Sequence, residues 1–168
     1  ILTANAALAD SVALFHSTHA NLTGTGTAIA VTSLGVARTM MRKQKTIKNV
    51  VMNLRPRYLI VPAALETIAA QYVSANYVAN QSSTINPFAG AFEVISEARL
   101  DDNSATAWYL AADPSMIDTI EYCYLEGQNG VYIETRQGFD VDGMEIKARL
   151  DFAAKAIDYR GLYKNVGA

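Results

Sequence analysis

Apolar positions near the start of the chain recur at intervals of three and four. In residues Asn5 to His19 the stripe Leu8, Val12, Phe15 predicts a helix. Asn21 and Gly24-Thr25-Gly26 break that pattern. A second helix is expected from Ser33, a good N-cap residue type, with Leu34, Ala37, Met40 and Met41 on one face and Arg42 and Lys43 at its C-terminal end. Lys45 to Pro56 reads as a basic connector. Tyr58-Leu59-Ile60-Val61 has the β-branched and aromatic character of a buried strand. Pro62 then opens a third helical pattern on Leu65, Ile68, Ala69, Tyr72 and Val73.

The polar stretch from Asn80 to Gly90 reads as a loop, and beyond it the period changes from helix to strand. Phe92 to Leu100, Ala105 to Ala111, Thr119 to Leu125 and Val131 to Arg136 are expected strands, the second stopped by Asp113-Pro114. From Met144 to Phe152 the alternation has no fault. Met144, Ile146, Ala148, Leu150 and Phe152 share one face, and Glu145, Lys147, Arg149 and Asp151 the other, which predicts a strand with one buried and one charged face. Asp142-Gly143 before it is a hairpin turn signal. Helices early and strands late imply a mixed α+β class, and 168 residues suffice for one core or two closely packed subdomains.

Charge alters this picture more than composition does. Net charge is −2, yet from Ser11 to Leu65 there are seven basic residues (Arg38, Arg42, Lys43, Lys45, Lys48, Arg55 and Arg57) and no acid, whereas from Glu66 onward fifteen acids face seven bases. Such a division suits a basic surface that meets an acidic one on a neighbouring subunit, or that faces nucleic acid. The overall balance is far from that of a dedicated nucleic-acid binder. One cysteine, Cys123, excludes an internal disulfide and suits a reducing compartment; at the middle of a strand it is expected as a small buried thiol. No apolar run reaches the roughly 20 residues of a membrane span. The helix-like pattern that follows Ile1 at once leads to the expectation of an upstream portion.

Catalytic chemistry is hard to place. His16 and His19, three apart, could share a metal or serve a small hydrolase, but no third ligand and no nucleophile motif accompanies them. Gly24-Thr25-Gly26-Thr27 lacks the lysine of a phosphate-binding loop. Asp140 to Glu145 lacks the remaining ligands of a calcium loop. Asp101-Asp102 reads as a solvated loop tip. Trp108, Tyr109, Tyr122, Tyr124 and Tyr132 lie in the acidic half, where core and subunit contact fit better than base stacking. No catalytic, cofactor-binding or metal residue is assigned, and no cofactor is expected.

Four stretches in order resemble a known family: Phe15 to Leu22, Pro56 to Glu66, Ala107 to Pro114, and Phe139 through Arg149-Leu150-Asp151-Phe152 to Asn165. They are similar to the C-terminal part of Mu-like tailed-bacteriophage major head subunits, including those encoded as fusions behind a prohead protease. Ala153 departs from the pattern, since relatives often carry glycine there. The resemblance implies the tailed-phage capsid fold, in which a spine helix and long β-strands form a peripheral subdomain and an α/β axial subdomain lies at the capsomere centre. On that mapping residues 1–57 hold the end of the spine helix and a peripheral helix, 58–118 the axial subdomain with its loop Asn76 to Gly90, and 119–168 the peripheral strands and C-terminus. It also implies a structural subunit with no chemical step, self-assembling as pentamers and hexamers into an icosahedral shell in the bacterial cytoplasm. The shell would hold DNA non-specifically, with a prohead protease as a further partner and no membrane. The seven basic residues above become the expected assembly or DNA-facing surface. An encapsulin-like compartment shell of the same fold is the alternative.

Overall fold

The computed structural model describes residues 1–74, 86–138 and 142–168. They divide into two compact units, Ile1–Thr119 with Ala156–Ala168, and Ile120–Lys155.

Unit 1 is built on a five-stranded mixed sheet of order β1 (Leu22–Thr23), β9 (Leu162–Asn165), β4 (Trp108–Ala112), β2 (Pro56–Val61), β3 (Glu93–Ser96). β4 runs antiparallel to both neighbours, with Leu110 opposite Leu59 on one side and Tyr163 on the other. β2 and β3 are parallel, which requires a crossover. That connection contains α2 (Glu66–Val73), led in by a 3₁₀ turn at Ala63–Leu65 after Pro62. α1 (Val31–Arg42) precedes β2.

Alternation along the strands divides the apolar residues between two layers. Trp108, Leu110 and Ala112 of β4, Leu59 and Val61 of β2 and Tyr163 of β9 join Leu34, Ala37 and Met41 of α1 and Ala69 of α2 in one core. Tyr109, Ile60 and Leu162 turn the other way, onto Leu14 and Phe15. α1 therefore buries the face that its spacing predicts. It begins two residues before Ser33, whose Oγ accepts the Ala30 amide at 2.9 Å instead of occupying the cap position.

The helix expected over Asn5 to His19 is not formed. Apart from one 3₁₀ turn at Ser17–His19, this segment is irregular. Its two most buried residues, Leu14 and Phe15, are adjacent. Side chains take over the hydrogen bonding that a helix would supply: Asn5 accepts the Phe15 amide at 2.7 Å, and buried Asn21 accepts the His16 amide at 3.1 Å and donates to the Leu14 carbonyl at 2.8 Å. Positive φ at Asn5, Ser11 and Ala20 is incompatible with a continuous helix.

The C-terminal strand β9 has no counterpart among the expected strands. It is held at its end by buried Asn165, whose Oδ1 accepts the Thr27 and Gly167 amides, each at 3.0 Å. Gly167 is required at φ +74°, where a Cβ would lie 1.9 Å from the Thr106 carbonyl oxygen.

Unit 2 is a pair of two-stranded sheets. β5 (Ile120–Tyr124) pairs with β8 (Phe152–Ala156), and β6 (Tyr132–Gln137) pairs antiparallel with β7 (Met144–Arg149). The single strand expected from Met144 to Phe152 is thus two strands, interrupted at Leu150 and Asp151. Its apolar face is not buried: Ile146 is 70% exposed and Met144 68%. Alternation placed these residues on one face correctly, but no layer among the described residues of the unit covers it. For the same reason Cys123, on β5, is exposed and not the buried thiol its position suggests. Tyr122, Tyr124 and Tyr132 are exposed as well, while Trp108 and Tyr109 are core residues. The expected loop Asn76 to Gly90 lies outside the described residues up to 85, as do Asp140 and Val141 of the calcium-like stretch.

Candidate functional site: exposed surfaces

The residues first considered for chemistry are occupied by structural bonds. His19 is buried and stacks on Tyr159 at 3.8 Å between ring centroids, its Nε2 2.8 Å from Asp10 Oδ2 and its Nδ1 3.2 Å from the Leu14 carbonyl. The Val12 amide, and then His19, hold the Asp10 carboxyl below its ordinary range. His16 pairs with Thr18 beside it. Asp101 accepts the Ala63 and Ala64 amides at 2.8 and 3.3 Å and so caps the turn that leads into α2. Among the described residues no three His, Cys, Asp or Glu gather as a metal site would need. No helix of the described residues is long and apolar enough to cross a membrane.

The seven basic residues separate into two kinds. Arg38 is half-buried, its guanidinium 4.6 Å above the Phe88 ring. Arg57 is ion-paired to Asp113 across the β2–β4 pair. The Ser115 amide, and next the Arg57 guanidinium, lower the Asp113 carboxyl to about 2, and Asp113 in turn raises Arg57. Arg42, Lys43, Lys45, Lys48 and Arg55 are exposed.

Three of these five surround a short hairpin-like knuckle between α1 and β2. Its rungs are the Lys45–Val51 bridge, Thr46 N–H to the Val50 carbonyl at 2.8 Å, and Met52 N–H to the Gln44 carbonyl at 2.9 Å. Asn49 turns the tip at φ +63°, a left-handed conformation that asparagine tolerates. Buried Gln44 anchors the base by donating its side-chain amide to the His19 carbonyl at 2.8 Å and the Ala20 carbonyl at 3.3 Å. The knuckle presents Ile47, which is 94% exposed, together with exposed Val50 and Val51. Sequence reading marked the cations here but missed the aliphatic residues among them; a β-branched pair at Val50-Val51 inside a basic stretch was the available signal.

A second unassigned surface lies in unit 2. Its charged face is internally balanced, with Arg136 to Glu145 at 2.6 Å, Lys147 to Glu134 at 2.9 Å and Arg149 5.5 Å from the Tyr132 ring. Its opposite face pairs Ile133 with Ala148, Thr135 with Ile146 and Gln137 with Met144. In the adjoining sheet Phe152 packs against Tyr122 and Tyr124, at 6.1 and 5.4 Å between centroids.

Both surfaces are suited to contact with another macromolecule, and neither gathers groups for bond-making chemistry. A family model described as phage capsid protein matches residues 1–165. No curated protein and no solved structure gives a match.

Proposed function

The chain belongs to the phage capsid protein family and is a structural subunit of the phage head, and from that premise we propose that its exposed basic and apolar surfaces are the contacts through which copies join into the shell. The observation that carries this reading is the knuckle. A surface built for phosphates gains nothing from Ile47, Val50 and Val51 in water, whereas a protein contact gains from both the aliphatic and the cationic side chains. We therefore assign Arg42, Lys43, Lys45, Lys48 and Arg55 to assembly in preference to DNA, and Arg38 and Arg57 to the fold of the subunit itself.

The four stretches noted in the sequence support a finer placement among Mu-like head subunits, some encoded behind a prohead protease. In the tailed-phage capsid fold, 58–118 would then be axial and 119–168 peripheral. Electron microscopy of the purified protein tests the reading. Closed shells of uniform size are expected, and a map of them would test the axial assignment. Dispersed small particles from intact protein would refute it.

A further inference from the structure

Asparagine is a chemically labile side chain, because the backbone nitrogen of the next residue can attack its amide carbon. The attack needs a small following residue, a backbone N–H that no hydrogen bond holds, and an asparagine side chain free to turn. Most asparagines of this fold fail one of these conditions. The side chains of Asn5, Asn21 and Asn165 are held by backbone amides and carbonyls. Asn86 precedes Pro87, which has no N–H to lose. Asn49, at the knuckle tip, precedes β-branched Val50, whose amide donates to Thr46 Oγ1 at 3.2 Å. Asn53 precedes Leu54, whose bulky side chain is buried. Asn103 comes nearer, being exposed and followed by small Ser104, but the Ser104 amide donates to the Leu100 carbonyl at 2.9 Å.

Asn129 meets all of the conditions. It is exposed, it lies in the connection between β5 and β6 outside both strands, and no other asparagine of the chain is followed by glycine. Among the described residues no hydrogen bond holds its side chain or the Gly130 amide. Gly130 stands at φ +102° with open space where a Cβ would be, so nothing crowds its nitrogen.

We propose that Asn129–Gly130 is a site of spontaneous deamidation. The Gly130 nitrogen attacks Asn129 Cγ, and the new N–C bond closes a succinimide ring. The Cγ–Nδ2 bond breaks, and ammonia leaves with the proton that the Gly130 nitrogen gave up. Water then opens the ring at either carbonyl, which leaves aspartate in one case and isoaspartate in the other, with no oxidation or reduction. Loss of ammonia to solvent makes the change one-way. Each event adds a negative charge to Leu100–Thr135, a stretch that already holds seven acids and no lysine or arginine. Isoaspartate also inserts a methylene into the backbone that joins β5 to β6.

The test uses the full chain, incubated at neutral and at mildly alkaline pH, either folded or in guanidinium chloride, and then digested with trypsin beside an unincubated control. Cleavage after Arg99 and Arg136 leaves Asn103 and Asn129 on one peptide, so fragment masses assign the exchange of NH2 for OH to one or the other. In the folded protein Asn129 is expected to convert first, faster at the higher pH, and to give both aspartyl and isoaspartyl peptides, which chromatography separates. In denaturant Asn103 should begin to convert as well, because the Ser104 amide is released from Leu100. Conversion of Asn129 only in the unfolded chain would overturn the proposal, as would conversion of Asn103 ahead of it in the folded protein. Aspartate without any isoaspartate would overturn the ring-forming route.

Discussion

Exchanging Gln44 for glutamate keeps the size of the side chain and removes its power to donate once the acid ionises, which makes it a direct test of how the knuckle is anchored. Gln44 is 7% exposed, and its amide nitrogen faces two carbonyl oxygens, of His19 at 2.8 Å and Ala20 at 3.3 Å. An ionised carboxylate there would meet two acceptors out of water. The acid form, by contrast, can donate its proton to the His19 carbonyl. Burial and the facing oxygens both raise the folded-state pKa of the introduced acid above the unfolded value of about 4.3. A rise of about two to three units, at about 1.36 kcal/mol each, corresponds to about 3–4 kcal/mol. The sign follows from linkage: below about pH 4 the acid is protonated folded and unfolded, so the variant approaches the parent protein. As pH rises through the unfolded pKa toward the folded one the deficit grows, and above the folded pKa it is constant. Urea unfolding of both proteins, followed by Trp108 emission at about pH 4 and about pH 7.5, measures the difference. A deficit that is the same at both pH values, or below about 0.5 kcal/mol at the higher one, would refute a buried donor at this position.

Asp113 provides a second pH test. Its folded-state carboxyl is lowered to about 2 by the Ser115 amide and Arg57, so its stabilising share is full above its unfolded value of about 3.9 and is lost as pH falls through about 2. Asp113→Asn should therefore flatten the stability profile between about pH 4 and pH 2, and an unchanged slope would contradict the pairing. Cys123 is exposed on β5, so a maleimide should label one thiol per unassembled chain without denaturant. Protection that persists until urea is added would refute the open face of unit 2.

The sequence alone determined what local physics determines. The 3.6-residue spacing of Leu34, Ala37 and Met41 named the buried face of α1, and strict alternation from Met144 sorted apolar from charged residues on β7. The acid-free basic stretch marked the surface on which the knuckle lies, and four ordered stretches indicated a capsid-type family, in agreement with the match over residues 1–165. Tertiary structure decided the remainder. The Leu8, Val12, Phe15 stripe had the period of a helix, yet docking of adjacent Leu14 and Phe15 beneath the sheet prevailed, because Asn5 and Asn21 supplied the backbone bonds that a helix would have made. β9 emerged because Leu162 and Tyr163 are buried on opposite faces of a strand laid beside β4, far away in sequence. Two members of the basic set, Arg38 and Arg57, have partners within the subunit that the sequence did not indicate, the Phe88 ring and Asp113. Most of all, periodicity shows which residues share a face and is silent on whether anything covers it. Covering depends on contacts made at long range or by another molecule, and so the apolar side of β7 could be read from the sequence while its exposure could not.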